Sequence, residues 1–211
     1  MIHQGSHRQE ASDPAVYGIG SFLFEIVKVF LLAVVIIFPV RMFLFQPFFV
    51  QGASMEPNFH DGEYLIISEW GYKTTVVGAK EDPIFDVHPS KELVRGDVVV
   101  FRYPKNPSQF FVKRVIGLPG EKIRFENGMV MIFNEEYPDG MVLDEKSYLD
   151  ESIKVKESTS LSLSPDEYFV MGDNRLHSHD SRSWGPLSKE FVIGKVVFRA
   201  WPLDRFGTSF R

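Results

Sequence analysis

Residues 19–40, IGSFLFEIVKVFLLAVVIIFPV, constrain the fold more than any other stretch of this chain. The run is 22 residues long and largely apolar, and a helix needs about 20 such residues to cross a bilayer. Glu25 and Lys28 interrupt its first half. Three positions apart, they share one helix face, so they can pair while Lys28 snorkels toward an interface. Residues 29–40 carry no charge, and after Arg41 comes a stretch holding Phe43, Phe45, Phe48 and Phe49. Those rings read as an aromatic belt where the chain leaves the membrane. Three other readings compete with an anchor. A cleaved export signal has a similar apolar run, and Val50 and Gly52 can serve as the −3 and −1 residues of its cut site. A buried core helix suits the shorter charge-free part, and an amphipathic surface helix wants a broader polar face than this one has. The flanking charges do not orient a span, because Arg8 and Lys28 precede its centre and Arg41 follows it. The expected division is a polar tail at 1–18, an anchor at 19–40 and a folded domain at 41–211.

From Gly62 onward the pattern changes to short runs rich in β-branched and aromatic residues, at 63–68, 97–102, 109–116, 121–125, 129–133, 167–171 and 191–199. Turn formers separate them, and Asn127-Gly128 between two runs is a strong hairpin signal. No helical period follows the apolar segment. The expected class is all-β, an antiparallel barrel-like or sandwich domain. A charged stretch reads as a small inserted β subdomain or loop at about 126–165. The 44% hydrophobic content supports a sizeable core. With no cysteine, disulfides, thiolate metal sites and thiol nucleophiles are excluded. A net charge of −5 argues against binding nucleic acid by phosphate neutralisation.

Four places can carry chemistry. Ser54 lies in Gly52-Ala53-Ser54, where small neighbours leave the backbone N–H groups open to an oxyanion; a plain turn serine is the simpler alternative. Lys113 shares a strand face with Phe111 and Val115, while Arg114 shares the other with Val112 and Ile116. Apolar neighbours depress a lysine pKa toward the range of a general base, yet edge strands also carry lysines to deter aggregation. Residues 172–182, GDNRLHSHDSR, can orient an amine through a hydroxyl and lock themselves with an Asp–Arg pair, or form an ordinary Asx-turn loop. His177, His179 and Asp180, with His60, offer a metal option, but no H-E-x-x-H helix is present.

Taken in order, an anchor, then S-M-x-P at 54–57, R-G-D-V-V-V-F at 95–101, V-K-R-V-I-G-L-P-G at 112–120 and G-D-N-R-x-x-S-x-D-S-R at 172–182 resemble bacterial type I signal peptidase. The resemblance implies a membrane-bound serine endopeptidase that removes signal peptides from exported preproteins after small residues, Ala-x-Ala sites. It implies Ser54 as nucleophile, Lys113 as general base, the Ser54 N–H as one oxyanion donor and Ser178 as the hydroxyl orienting the amine. Asp180 and Arg182 then form a structural pair beside the site, with Arg114 and Asp173 near it. Val50, Gly52, Met55, Phe59, Phe111 and Val112 fall where that family lines shallow substrate pockets. Some members carry a serine where Gly52 stands, completing the oxyanion hole, so the second donor must come from elsewhere here.

The resemblance also implies no cofactor, no metal and no nucleic-acid partner, a monomer, and apolar surface resting on the lipid bilayer. It places the catalytic domain on the outer face of the cell membrane. A related Ser/Lys protease that cuts itself or a regulator is one alternative; such proteins usually carry a DNA-binding domain, which is lacking here. An anchored binding module is another, and it predicts Ser54 and Lys113 more than about 5 Å apart, against roughly 3 Å for a working pair.

Overall fold

The structure is a computed structural model describing residues 18–39, 45–73, 75–79, 82–87, 89–149 and 160–208. The polar tail at 1–17, Arg41, Phe43 and the centre of the charged stretch, 150–159, lie outside the described residues. The chain divides into two compact units, residues 1–39 and 40–211.

The first unit contains helix α1, Ile19–Pro39. Its span Ile19–Ile37 is long and apolar enough to cross a membrane, and at 1.5 Å per residue it measures about 28 Å, close to a hydrocarbon core. Phe22, Leu23, Phe30 and Leu32 are exposed. Glu25 and Lys28 pair at 2.7 Å, as their spacing predicts. The helix fits a transmembrane anchor.

The second unit is built of antiparallel strands. In chain order they are β1 (Phe45–Phe49), β2 (Tyr64–Ser68), β3 (Thr75–Ala79), β4 (Asp82–Val87), β5 (Val98–Tyr103), β6 (Asn106–Gly117), β7 (Lys122–Glu126), β8 (Met129–Phe133), β9 (Met141–Val142), β10 (Ser160–Ser162), β11 (Glu167–Met171), β12 (Leu187–Ser188) and β13 (Val192–Trp201). A single-turn helix, α2 (Ser181–Trp184), lies between β11 and β12. Among the described residues the main sheet runs β1-β2-β13-β5-β6-β11-β12, a second runs β10-β7-β8-β9, and β3 pairs with β4. The insertion expected at about 126–165 overlaps the second sheet, whose first strand already begins at Lys122.

Two local readings differ. Phe45–Phe49, taken from sequence as part of an aromatic belt, is the edge strand β1, paired with β2. Pro47 is tolerated there because an edge strand leaves one side of its backbone unpaired. The β3–β4 hairpin gave no clear alternation. By contrast Asn127 and Gly128 both take positive φ, 52° and 81°, the geometry a tight two-residue hairpin requires, and they join β7 to β8 with Glu126 opposite Met129.

Central position explains the apolar run in β5. Val98 and Val100 pack on one side with Met55, Phe59 and Leu65. Val99 and Phe101 pack on the other with Val115, Val170 and Leu187. Both faces are covered, so the strand is apolar throughout instead of alternating. A third cluster, including Ile116, Ile123, Ile132 and Phe169, seals the second sheet against the first.

Candidate active site

Residues 50–62 form a loop between β1 and β2 that closes on itself, with the Val50 N–H donating to the Glu63 carbonyl at 2.8 Å and the Gly62 N–H to the Val50 carbonyl at 3.1 Å. Gly52 takes φ +87°, open to glycine and strained for other residues. Its N–H donates to Asp61 Oδ1 at 2.7 Å. The chain then turns through Ala53, with the Glu56 N–H on the Ala53 carbonyl, and a helical i to i+4 bond follows from the Phe59 N–H to the Met55 carbonyl at 2.9 Å. That turn places Met55 and Phe59 on one side, and both are buried in the core. They were expected to line substrate pockets; they anchor the loop from beneath and take no part in the cleft. Ser54 is left at its surface.

Lys113 stands opposite Val99 in the β5–β6 ladder, and it is 3% exposed. Its Nζ lies 2.7 Å from Ser54 Oγ and 2.8 Å from the Val112 carbonyl, and 5.4 Å from the centre of the Phe111 ring. Burial pushes the amine down to about 8, although the carboxylates of Asp180 and Asp173 pull the other way. A neutral lysine at this separation can accept the serine proton.

Arg114, the next residue, faces the opposite side and is paired at both ends with Asp173: Nε to Oδ1 at 2.8 Å and Nη2 to Oδ2 at 2.7 Å. Both residues are buried, so the pair is a fixed post. Asn58 donates to Asp173 Oδ2 at 2.9 Å and to the Tyr148 carbonyl at 2.7 Å, and the Arg114 guanidinium stacks 4.2 Å from the centre of the Tyr148 ring. Arg175 donates to the Gly172 carbonyl and pairs with Glu145. Glu145 and Tyr148 thus brace Arg175, Arg114 and the 50–62 loop.

Asp180 forms the expected pair with Arg182, Nε to Oδ1 at 2.8 Å, and accepts from the Gly172 N–H at 3.0 Å. Burial alone would raise its carboxyl; the Arg182 guanidinium and the Gly172 amide outweigh that and hold it below the usual carboxylate range. Ser178 departs from expectation. Its hydroxyl is buried and makes no hydrogen bond with the amine among the described residues; the amine is held by Ser54 and the Val112 carbonyl. Gly172 packs so closely that a Cβ there would collide with the Ser54 carbonyl and the Ser178 side chain. This crowding fixes the serine in place beside the loop without setting its hydroxyl on Lys113.

Ser54 and Lys113 open into a cleft of about 750 Å³ that Val50, Gly52, Phe111 and Val112 help to line. Sequence reasoning missed Phe48, Leu65, Val100, Phe110, His177 and His179, which also line it. Tyr103 stacks on Phe111 at 4.6 Å and accepts or donates a hydrogen bond with His179 at 3.0 Å. Among the described residues no group of three His, Cys, Asp or Glu is placed to hold a metal ion. Asn174 and Asp61 were also missed as loop partners; only the density of polar residues in 172–182 hinted at the first.

A hydroxyl oxygen and a buried amine in contact beside a cleft, with no imidazole on the hydroxyl among the described residues, suit a serine hydrolase. The family described as signal peptidase, peptidase S26, matches residues 23–201, and the chain belongs to that family of serine endopeptidases. Signal peptidase IB of Staphylococcus aureus is 33% identical over 189 residues, covering 84% of this chain and 89% of the relative. Signal peptidase I P of Bacillus subtilis subsp. natto is 32% identical over 191 residues, covering 88% and 92%. A crystallised signal peptidase I from Enterococcus faecalis V583 is 29% identical with a TM-score of 0.41, covering 50% of this chain and 97% of that one.

Proposed function

We propose that this chain removes signal peptides from exported preproteins with Ser54 as nucleophile and Lys113 as general base. The observation that carries the reading is the 2.7 Å contact between Ser54 Oγ and a buried Lys113 Nζ. Neutral Lys113 takes the Ser54 proton as Oγ attacks the scissile carbonyl carbon, and the Ser54 N–H receives the developing oxyanion. The resulting Lys113 ammonium gives its proton to the departing amine, and the mature protein leaves an acyl-enzyme. Lys113 then deprotonates a water molecule, which frees the signal peptide and restores the serine. A binding module predicts separated side chains, so the contact favours catalysis.

Cleavage after small residues, at Ala-x-Ala sites, rests on the family resemblance together with the apolar walls of the cleft. The enzyme works as a monomer without metal, cofactor or nucleic acid. The anchor holds enzyme and preprotein in the same bilayer, which raises their effective concentration; that favours a single span with residues 41–211 on the outer face, where preproteins emerge. The exposed rings of Phe45, Phe49, Tyr64 and Trp201 supply apolar surface for lipid contact. The test uses the full chain in detergent with a preprotein carrying an Ala-x-Ala site. Ser54→Ala and Lys113→Ala are expected to abolish cleavage and a chelator to leave it unchanged. Wild-type turnover by either variant would remove the dyad.

A further inference from the structure

Between the Gly52 N–H, held by Asp61, and the buried Met55 side chain, the nucleophile loop has little packing of its own. Gln51, Gly52 and Ala53 are exposed, and the space where a Gly52 side chain would stand is open. Across from it, Asn174 makes two bonds to consecutive carbonyls: its side-chain Nδ2 donates to Ala53 at 3.0 Å and its backbone N–H to Ser54 at 3.0 Å. In a trans peptide the carbonyl of one residue and the N–H of the next point in opposite directions within one plane. Holding the Ala53 carbonyl therefore sets the direction of the Ser54 N–H. That N–H donates to no protein group among the described residues, so it is available to an oxyanion. The Gly52 N–H is occupied by Asp61, which makes the aim of the Ser54 N–H matter more.

We propose that Asn174 is a positioning residue that aims the Ser54 N–H at the oxyanion, an inference that rests on Ser54 being the nucleophile. Asn174 is itself well placed to hold a direction. It follows Asp173, which is fully buried and locked to Arg114, and its carbonyl accepts from the His177 N–H at 3.1 Å. Rigidity passes from the buried ion pair through Asn174 to the peptide plane that bears the donor. A preorganised oxyanion donor is worth about 10²–10³ in kcat, and a misdirected one loses part of that.

The experiment compares Asn174→Ala and the nearly isosteric Asn174→Leu with the full-length wild type in detergent. Each is given a matched pair of substrates, an oxygen ester and its thionoester, with the same small-residue site; thermal unfolding is followed in parallel, and either folded variant suffices. The expected result is a fall in kcat of about 10–100-fold on the oxygen ester with KM changed less than about twofold. Sulfur is a weak hydrogen-bond acceptor, so the thionoester gains little from the donor, and the ratio of oxygen-ester to thionoester rates must fall as well. The acid limb of the pH profile must stay where it is, since the Lys113 contact is untouched. Unchanged kcat, or a reduced kcat with an unchanged rate ratio, would overturn the inference. Ser54→Ala separates the two readings. If it is inactive while the Asn174 variants behave as wild type, only the role of Asn174 fails; if it cleaves normally, the nucleophile assignment fails and takes this inference with it.

Discussion

The pH dependence of cleavage tests the catalytic reading most directly, because the structure supplies its magnitude. Lys113 is pushed down to about 8 from an ordinary 10.5, chiefly by burial between strands. At pH 7 such an amine is neutral in roughly one molecule in eleven, against roughly one in three thousand for an exposed lysine; burial thus enriches the active base ~300-fold, equivalent to about 3 kcal/mol. The assay measures kcat/KM on a non-titrating peptide from about pH 6 to 10, which reports ionisations of the free enzyme. The rate should rise tenfold per unit below about pH 8 and level off above it. Asp180 raises the lysine pKa, so Asp180→Asn should carry the limb to lower pH. A flat profile, a limb near about 10.5, or a limb moved upward by Asp180→Asn would refute the assignment of Lys113 as base.

Other outcomes follow from the same contacts. Because the folded pKa of Lys113 is depressed, the unfolded chain binds the extra proton between about pH 8 and 10.5; the unfolding free energy should climb by up to about 3 kcal/mol across that window, seen by denaturant titration at several pH values. Lys113→Met should flatten that rise and be more stable than wild type at pH 7 while inactive. Asp173→Asn removes the carboxylate paired with the buried Arg114 guanidinium, and breaking that buried ion pair should cost about 3–5 kcal/mol in the same titration. Gly172→Ala drives a methyl group into the Ser54 carbonyl; cleavage should fall sharply, with loss in kcat exceeding any change in KM.

Much of the main sheet was legible because its strands obey simple rules. The β5 run Val98-Val99-Val100-Phe101 reads as buried on both faces, and in the second sheet Asn127-Gly128 marks the β7–β8 hairpin through backbone sterics alone. Strand β1 was obscured by its position beside the apolar helix, where Phe45, Phe48 and Phe49 match an interfacial belt as well as an edge strand. The contact between Ser54 and Lys113 was legible only through the order of several motifs, since the two are 59 positions apart and nothing local announces it. Pocket lining failed at Met55 and Phe59 because one helical turn, invisible in a four-residue motif, rotates both side chains inward. Asp61 and Asn174 turn their side chains on backbone atoms of Gly52 and Ala53, so the identity of the residues they hold gives no sign of them.

Lys113 and Arg114 are neighbours with opposite requirements, and the pleat of β6 keeps them apart. In the proposed mechanism the lysine must shed its proton, and the arginine cannot, since a guanidinium stays charged in proteins. Sliding β6 by one residue against β5 would exchange every side chain across the sheet, bringing a permanent cation to Ser54 and a titratable amine to Asp173. The pairing of Val99 with Lys113 and Val98 with Arg114 therefore acts as a sorting device for charge. Fidelity of strand alignment during folding therefore decides whether the finished molecule sets a titratable amine beside Ser54 at all, and under the proposed mechanism a misaligned population would be silent.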